Sequence, residues 1–170
     1  MTKPEPRPRP VLDLARSPWE WVLEVVAGVG MIVCVGIVVQ AWEALPERIP
    51  IHFGISGRPD GWGGKEAIAL LPAVGLVLEG VLTLVNLYPH TWNYPVPITE
   101  ENARVQYQLG RSLLVWMKAE LIWLLALILW QQVQVALGQG ETMNNGSIFT
   151  GLIVIFGTVG VYLWQAYRAR

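Results

Sequence analysis

The sequence predicts an all-α integral membrane protein with four transmembrane helices and an ordered Pro/Gly-rich outer loop between helices 1 and 2. Three observations carry the prediction. Four apolar runs near the ~20 residues that a hydrocarbon core requires are spaced along the chain. Of its 170 residues, 53% are apolar and only 15% charged, against ~25% charged in a soluble domain. Between the first two runs lies Leu45 to Lys65, LPERIPIHFGISGRPDGWGGK, dense in proline, glycine and ionisable residues.

Residues 1–17 form a Pro/Arg-rich tail, KPEPRPRP with Lys3, Arg7, Arg9 and Arg16, whose composition favours an extended, solvated flank. Ser17, Pro18 and Glu20 then spell a capping box with proline at the first helical position. The first span runs from Pro18 to about Trp42, too long for the apolar core of a signal peptide, and reads as a retained anchor. The outer loop covers 43–66, where Pro46, Pro50 and Pro59 restrict the backbone and Gly54, Gly57, Gly61, Gly63 and Gly64 permit left-handed turns.

The second span covers 67–88 and closes a region extending from 18 to 90. Residues 91–112 read as a cytoplasmic linker followed by a polar helix that runs from Thr99 into span three, with Thr99 as N-cap and Glu100 and Glu101 in its first turn. Residues 113–170 form a transmembrane hairpin of spans 113–137 and 148–164, turned by Asn145-Gly146. With the N-terminus inside, nine basic residues (Lys3, Arg7, Arg9, Arg16, Arg104, Arg111, Lys118, Arg168, Arg170) lie cytoplasmic and three (Arg48, Arg58, Lys65) outside. That asymmetry predicts both termini in the cytoplasm.

Inside the membrane, Pro72, Gly75, Glu79, Thr83 and Asn86 share one face of span two, and His90 continues the series. A mid-span acid costs about 2.5–3.5 kcal/mol even on lenient insertion scales, so Glu79 needs a partner, a proton or water. Lys118 in span three either reaches Glu79 or snorkels to the headgroups. Glu120 shares a face with Trp116, Trp123 and Trp130, which suggests an aromatic-lined cavity or large-residue helix packing. Glu24 is shallow enough to stay hydrated; Gly28, and Gly151, Gly157 and Gly160, read as packing surfaces. Cys34 is the sole cysteine, which excludes intramolecular disulfides and cysteine-based metal clusters.

In the outer loop, Arg48 to Phe53 suits a short extended segment, and Pro59-Asp60-Gly61 signals a β-turn. Trp62 suits an interfacial anchor. His52 and Asp60 could bind a divalent metal, but a lone histidine with scattered carboxylates is far from a zinc motif. The plainer reading has Asp60 capping its turn and His52 bonded to a backbone carbonyl. No metal, cofactor or nucleic acid is expected.

The combination Leu45-Pro46, Ile49-Pro50, His52-Phe53, Gly57, Asp60, Trp62-Gly63 and Lys65 resembles the signature of bacterial membrane proteins with domain of unknown function 1648. That domain also occurs in immunity proteins against the sporulation-delay toxin. The resemblance implies a protein of the bacterial inner membrane and does not imply an enzyme. The reading is a non-catalytic multi-pass protein in antimicrobial-peptide immunity or membrane signalling, with a peptide or small-molecule ligand outside and a cytoplasmic protein as candidate partners. On this reading Pro50, His52, Phe53, Gly57, Asp60, Trp62 and Lys65 form the loop motif, while Glu79, Asn86, Lys118 and Glu120 form the buried polar set. The alternatives are a small proton-coupled transporter using Glu79 and a metal-dependent membrane enzyme using His52 and Asp60.

Overall fold

A computed structural model describes residues 9–170; Lys3 and Arg7 of the predicted tail lie outside them. Its elements are α1 (Pro18–Ala41), β1 (Arg48–Phe53), β2 (Pro59–Gly64), α2 (Leu70–Val85), α3 (Ala103–Ala136) and α4 (Asn145–Arg168). All four helical segments are long and apolar enough to cross a membrane, α2 counted with the 3-10 turn Lys65–Ala69 that leads into it. At 34 residues, α3 is about 50 Å long and overshoots a ~30 Å hydrocarbon core. The polar stretch from 103 to 112 is therefore the projecting start of α3, continuous with the span as the sequence suggests, and the helix begins at Ala103 with Asn102, not Thr99, at its N-cap.

α3 is the central post. α1 and α2 pack on it and on each other, and α4 packs on α3. The core below the hairpin joins Cys34 and Ala41 of α1 with Ile49, Ile68, Ala126 and Leu129. Close approach of α1 to α3 occurs at Gly30, where a Cβ would lie 2.8 Å from Ile122 Cγ2. The predicted contact glycine, Gly28, has nothing within 4 Å, because the helical turn carries it off the buried stripe of Leu23, Ala27 and Gly30. In α4, likewise, Gly151 packs on Leu124 while Gly157 and Gly160 face open space.

The fold is not all-α. The predicted outer loop folds into a two-stranded antiparallel sheet, with Pro50 opposite Trp62 and His52 opposite Gly61. Pro59-Asp60-Gly61 begins β2 instead of turning the chain; the turn lies at 54–58, where Gly57 has φ 76°. The strand glycines serve close packing: a Cβ on Gly61 would sit 2.9 Å from His52 Cβ. Asn145-Gly146 opens α4, and the chain turns earlier, at Gly138 (φ 71°), with Asn144 as N-cap.

Ser17 and Glu20 form the predicted capping box. Thr99 and Asn102 exchange hydrogen bonds at the entry to α3. The tail from Arg9 onward is tethered to the bundle while its side chains stay exposed or half-buried. Arg111 donates to Leu14 O at 2.7 Å and lies 3.6 Å from Glu20, and Arg9 donates to Trp92 O. Gln106, also at the start of α3, donates to Ala166 O and Ala169 O, satisfying carbonyls that the end of α4 leaves free. Both described ends of the chain are thus held at the same end of the bundle.

Candidate functional site

Two polar centres result, one in the hairpin and one inside the bundle. In the hairpin, the bulged register between Pro50 and Phe53 places His52 beside Asp60, and Nδ1 and Oδ1 pair directly. This differs from the predicted turn cap and carbonyl bond because the two residues sit on facing strands, within side-chain reach of each other. Both remain exposed, at 73% and 52% of their side chains, so the pair orients the imidazole more than it stabilises the fold. Lys65 pairs with Glu47 at 2.9 Å and lies over the Trp42 ring. Trp62 is half exposed on the sheet, and Phe53 lines a cavity beneath it.

The hairpin is fastened from below. Gln132 of α3 donates to the carbonyl of buried Pro50 at 2.8 Å. Met143 N donates to Gly57 O at 2.8 Å, and Asn145 donates to Ile55 O at 2.6 Å. A Cβ on Gly57 would collide with the Met143 carbonyl, so this glycine is needed for both its conformation and its closeness.

Inside the bundle, Lys118 is 1% exposed. Its Nζ meets Glu24, lies 3.3 Å from Glu79 and donates to Thr83 at 2.9 Å. One ammonium thus ties α1, α2 and α3 together, and Glu24 also has Arg16 at 3.7 Å. Lys118 therefore points to Glu79 instead of snorkelling, and Glu24 is a member of the cluster rather than a hydrated flank. Glu24 Oε1 and Glu79 Oε2 are buried without a hydrogen-bond partner among the described residues.

The remaining predicted positions lie apart from this cluster. Asn86 caps the end of α2 and is buried. Glu120 accepts from Thr158 of α4 at 2.6 Å. Trp116, Trp123 and Trp130 do not enclose a shared cavity: each is more than a third exposed on the outer surface, and Trp123 donates to Val26 O. Their seven-residue spacing keeps them on a stripe that the neighbouring helices leave largely uncovered. Outside the spans, burial pushes the Tyr94 hydroxyl up, aided by Tyr162 and Tyr107 and opposed by Arg9.

The prediction omitted Gln132 and read Asn145 only as a turn residue, whereas both fix the hairpin. An amide inside an apolar run of span three was the available signal, since such a group needs an internal partner. Among the described residues, no group of three or more His, Cys, Asp or Glu is placed to hold a metal ion.

The fold and these centres define a multi-pass helical membrane protein whose first two spans are joined by a fastened β-hairpin. Residues 29–76, from the middle of α1 through the hairpin into α2, match the family model described as "Domain of unknown function (DUF1648)". An uncharacterized protein of Archaeoglobus fulgidus is 37% identical over 62 residues, covering 32% of this chain and 34% of that relative. The chain thus matches about a third of the length of that curated relative. No solved structure matches.

Proposed function

We propose that the protein is non-catalytic and recognises a peptide or small-molecule ligand through its hairpin. The observation supporting this best is the way the hairpin is mounted. Gln132, Met143 and Asn145 bond its backbone, while His52 and Asp60 remain exposed and oriented by each other. A surface held in place before binding loses little conformational freedom when a ligand arrives. The division of basic residues supports a bacterial inner-membrane setting with the hairpin outside and the termini in the cytoplasm. Protection against a secreted antimicrobial peptide, with signalling to a cytoplasmic partner, rests on the resemblance of the loop motif alone.

The test is survival of cells with the gene deleted or overexpressed against a panel of secreted antimicrobial peptides. Deletion should selectively remove protection, and His52→Ala and Asp60→Ala should reproduce that loss while still reaching the membrane. Unchanged survival across the panel would overturn the reading. A second reading, a small proton-coupled carrier, draws on the unpartnered oxygens of Glu24 and Glu79 beside Lys118. It predicts flux in vesicles that Glu79→Gln abolishes.

A further inference from the structure

Beneath the hairpin lies a cavity of about 380 Å³ walled by four separate elements. Phe53 comes from β1, Leu71 from α2, Ile128 from α3 and Ile148 from α4. Its volume falls within the ~300–1,000 Å³ of small-molecule sites and accommodates about a dozen water-sized groups. Leu70, itself in the wall, and Phe149, next to Ile148, are exposed on the apolar surface, which sets the cavity beside the lipid.

Three polar side chains also line it: His52, Gln132 and Asn145. Each already uses a donor within the protein. His52 Nδ1 faces the Asp60 carboxylate, Gln132 Nε2 donates to Pro50 O, and Asn145 Nδ2 donates to Ile55 O. The amide orientations follow from their partners, because a backbone carbonyl can only accept. What remains for a ligand is Gln132 Oε1, Asn145 Oδ1 and, in the neutral imidazole, the lone pair of His52 Nε2. All three accept, and the Asp60 carboxylate adds negative charge beside them.

Resting on the reading of the hairpin as a recognition surface, we infer that this cavity binds the ligand and selects an aliphatic amphipath with an ammonium head. The alkyl segment fills the apolar walls, and the ammonium donates to the three acceptors. A carboxylate head would meet acceptors only, leaving its own lone pairs and theirs unsatisfied.

The test uses the protein in phosphatidylcholine nanodiscs with dodecylamine carrying a mid-chain diazirine, and dodecanoate with the same diazirine as the matched acid. The amine should cross-link saturably to the segments containing Leu71 and Ile148, about tenfold or more above the acid at equal concentration. Ile148→Trp, which fills the cavity, should abolish saturable labelling at an unchanged unfolding temperature. If that variant does not fold, His52→Leu, at an exposed side chain, should bring the amine-to-acid ratio toward one.

Equal labelling by amine and acid would overturn the inference. So would labelling of Ile153 and Phe156, on the exposed face of α4, as strong as that of the cavity. Loss of peptide protection in the hairpin variants without saturable labelling would overturn the cavity assignment and leave recognition standing. Saturable amine labelling with no protection phenotype would do the reverse.

Discussion

Replacing Lys118 with methionine isolates the charge that joins three helices. Methionine keeps most of the buried stem and removes the ammonium, leaving Glu24 and Glu79 with side chains only 15% and 24% exposed. Glu24 keeps Arg16 at 3.7 Å, but Glu79 has no other ion-pair partner among the described residues. Removing one partner of a buried pair costs ~3–5 kcal/mol, mostly by stranding the opposite charge. That is a large part of the ~5–15 kcal/mol that stabilises an ordinary domain. Glu79→Gln alone should cost less, about 1 kcal/mol, because it strands no charge and Lys118 keeps Glu24 and Thr83. The triple variant Lys118→Met, Glu24→Gln, Glu79→Gln strands no buried charge, leaving only the partly exposed Arg16, stacked on Trp21, without its carboxylate, and should fall within about 1 kcal/mol of the parent. Unfolding free energies from SDS titration in mild detergent, combined as a mutant cycle, measure all three. A Lys118→Met variant within about 1 kcal/mol of the parent would refute the argument, as would a triple variant as unstable as the single one.

The paired glycines of α1 make a sharper contrast of neighbouring positions. Gly30→Ala places a Cβ 2.8 Å from Ile122 Cγ2 and should destabilise by about 1–3 kcal/mol, whereas Gly28→Ala meets nothing within 4 Å and should gain up to about 1 kcal/mol of helix propensity. Equal effects in the same titration would mean that α1 does not pack on α3 in this register. Gln132→Leu keeps the volume but leaves the buried Pro50 carbonyl without its donor, at a cost of about 1–3 kcal/mol. Amide exchange across Arg48–Gly64 should quicken about tenfold while that of α1 stays as in the parent; an unaltered hairpin would show that α3 does not hold it.

The four spans were legible because hydrocarbon thickness imposes a minimum length on any helix that crosses it. Their ends were less so: the polar helix read from Thr99 begins at Ala103, because Thr99 and Asn102 bond to each other ahead of the first helical turn. Strand β2 was hidden for a different reason. Proline, aspartate and three glycines in PDGWGG have low strand propensity, and the segment is extended because β1 pairs with it and its glycines allow close contact. Within the bundle, the periodic stripe of α2 identified Glu79, since spacing specifies a face. The role of Glu24 depends instead on where Lys118 arrives from another helix, and no local pattern encodes that.

Gln131 and Gln132 show how far the desolvation rule extends when it is applied to neutral groups. An amide adds no charge to an apolar run, so it escapes a search for intramembrane ions, yet burial still obliges it to find a partner. Two consecutive amides point about 100° apart on a helix, so they need two different partners. Gln132 reaches Pro50 in the hairpin, while Gln131 accepts from Asn144 N and donates to Ser147 Oγ at the start of α4. One turn of α3 therefore fixes both outer attachments, and Asn145 closes the circuit by donating to Ile55 O in the hairpin. A shift at the start of α4 must either carry the hairpin with it or break the Asn145 bond, which couples the cavity wall at Ile148 mechanically to the exposed His52–Asp60 pair.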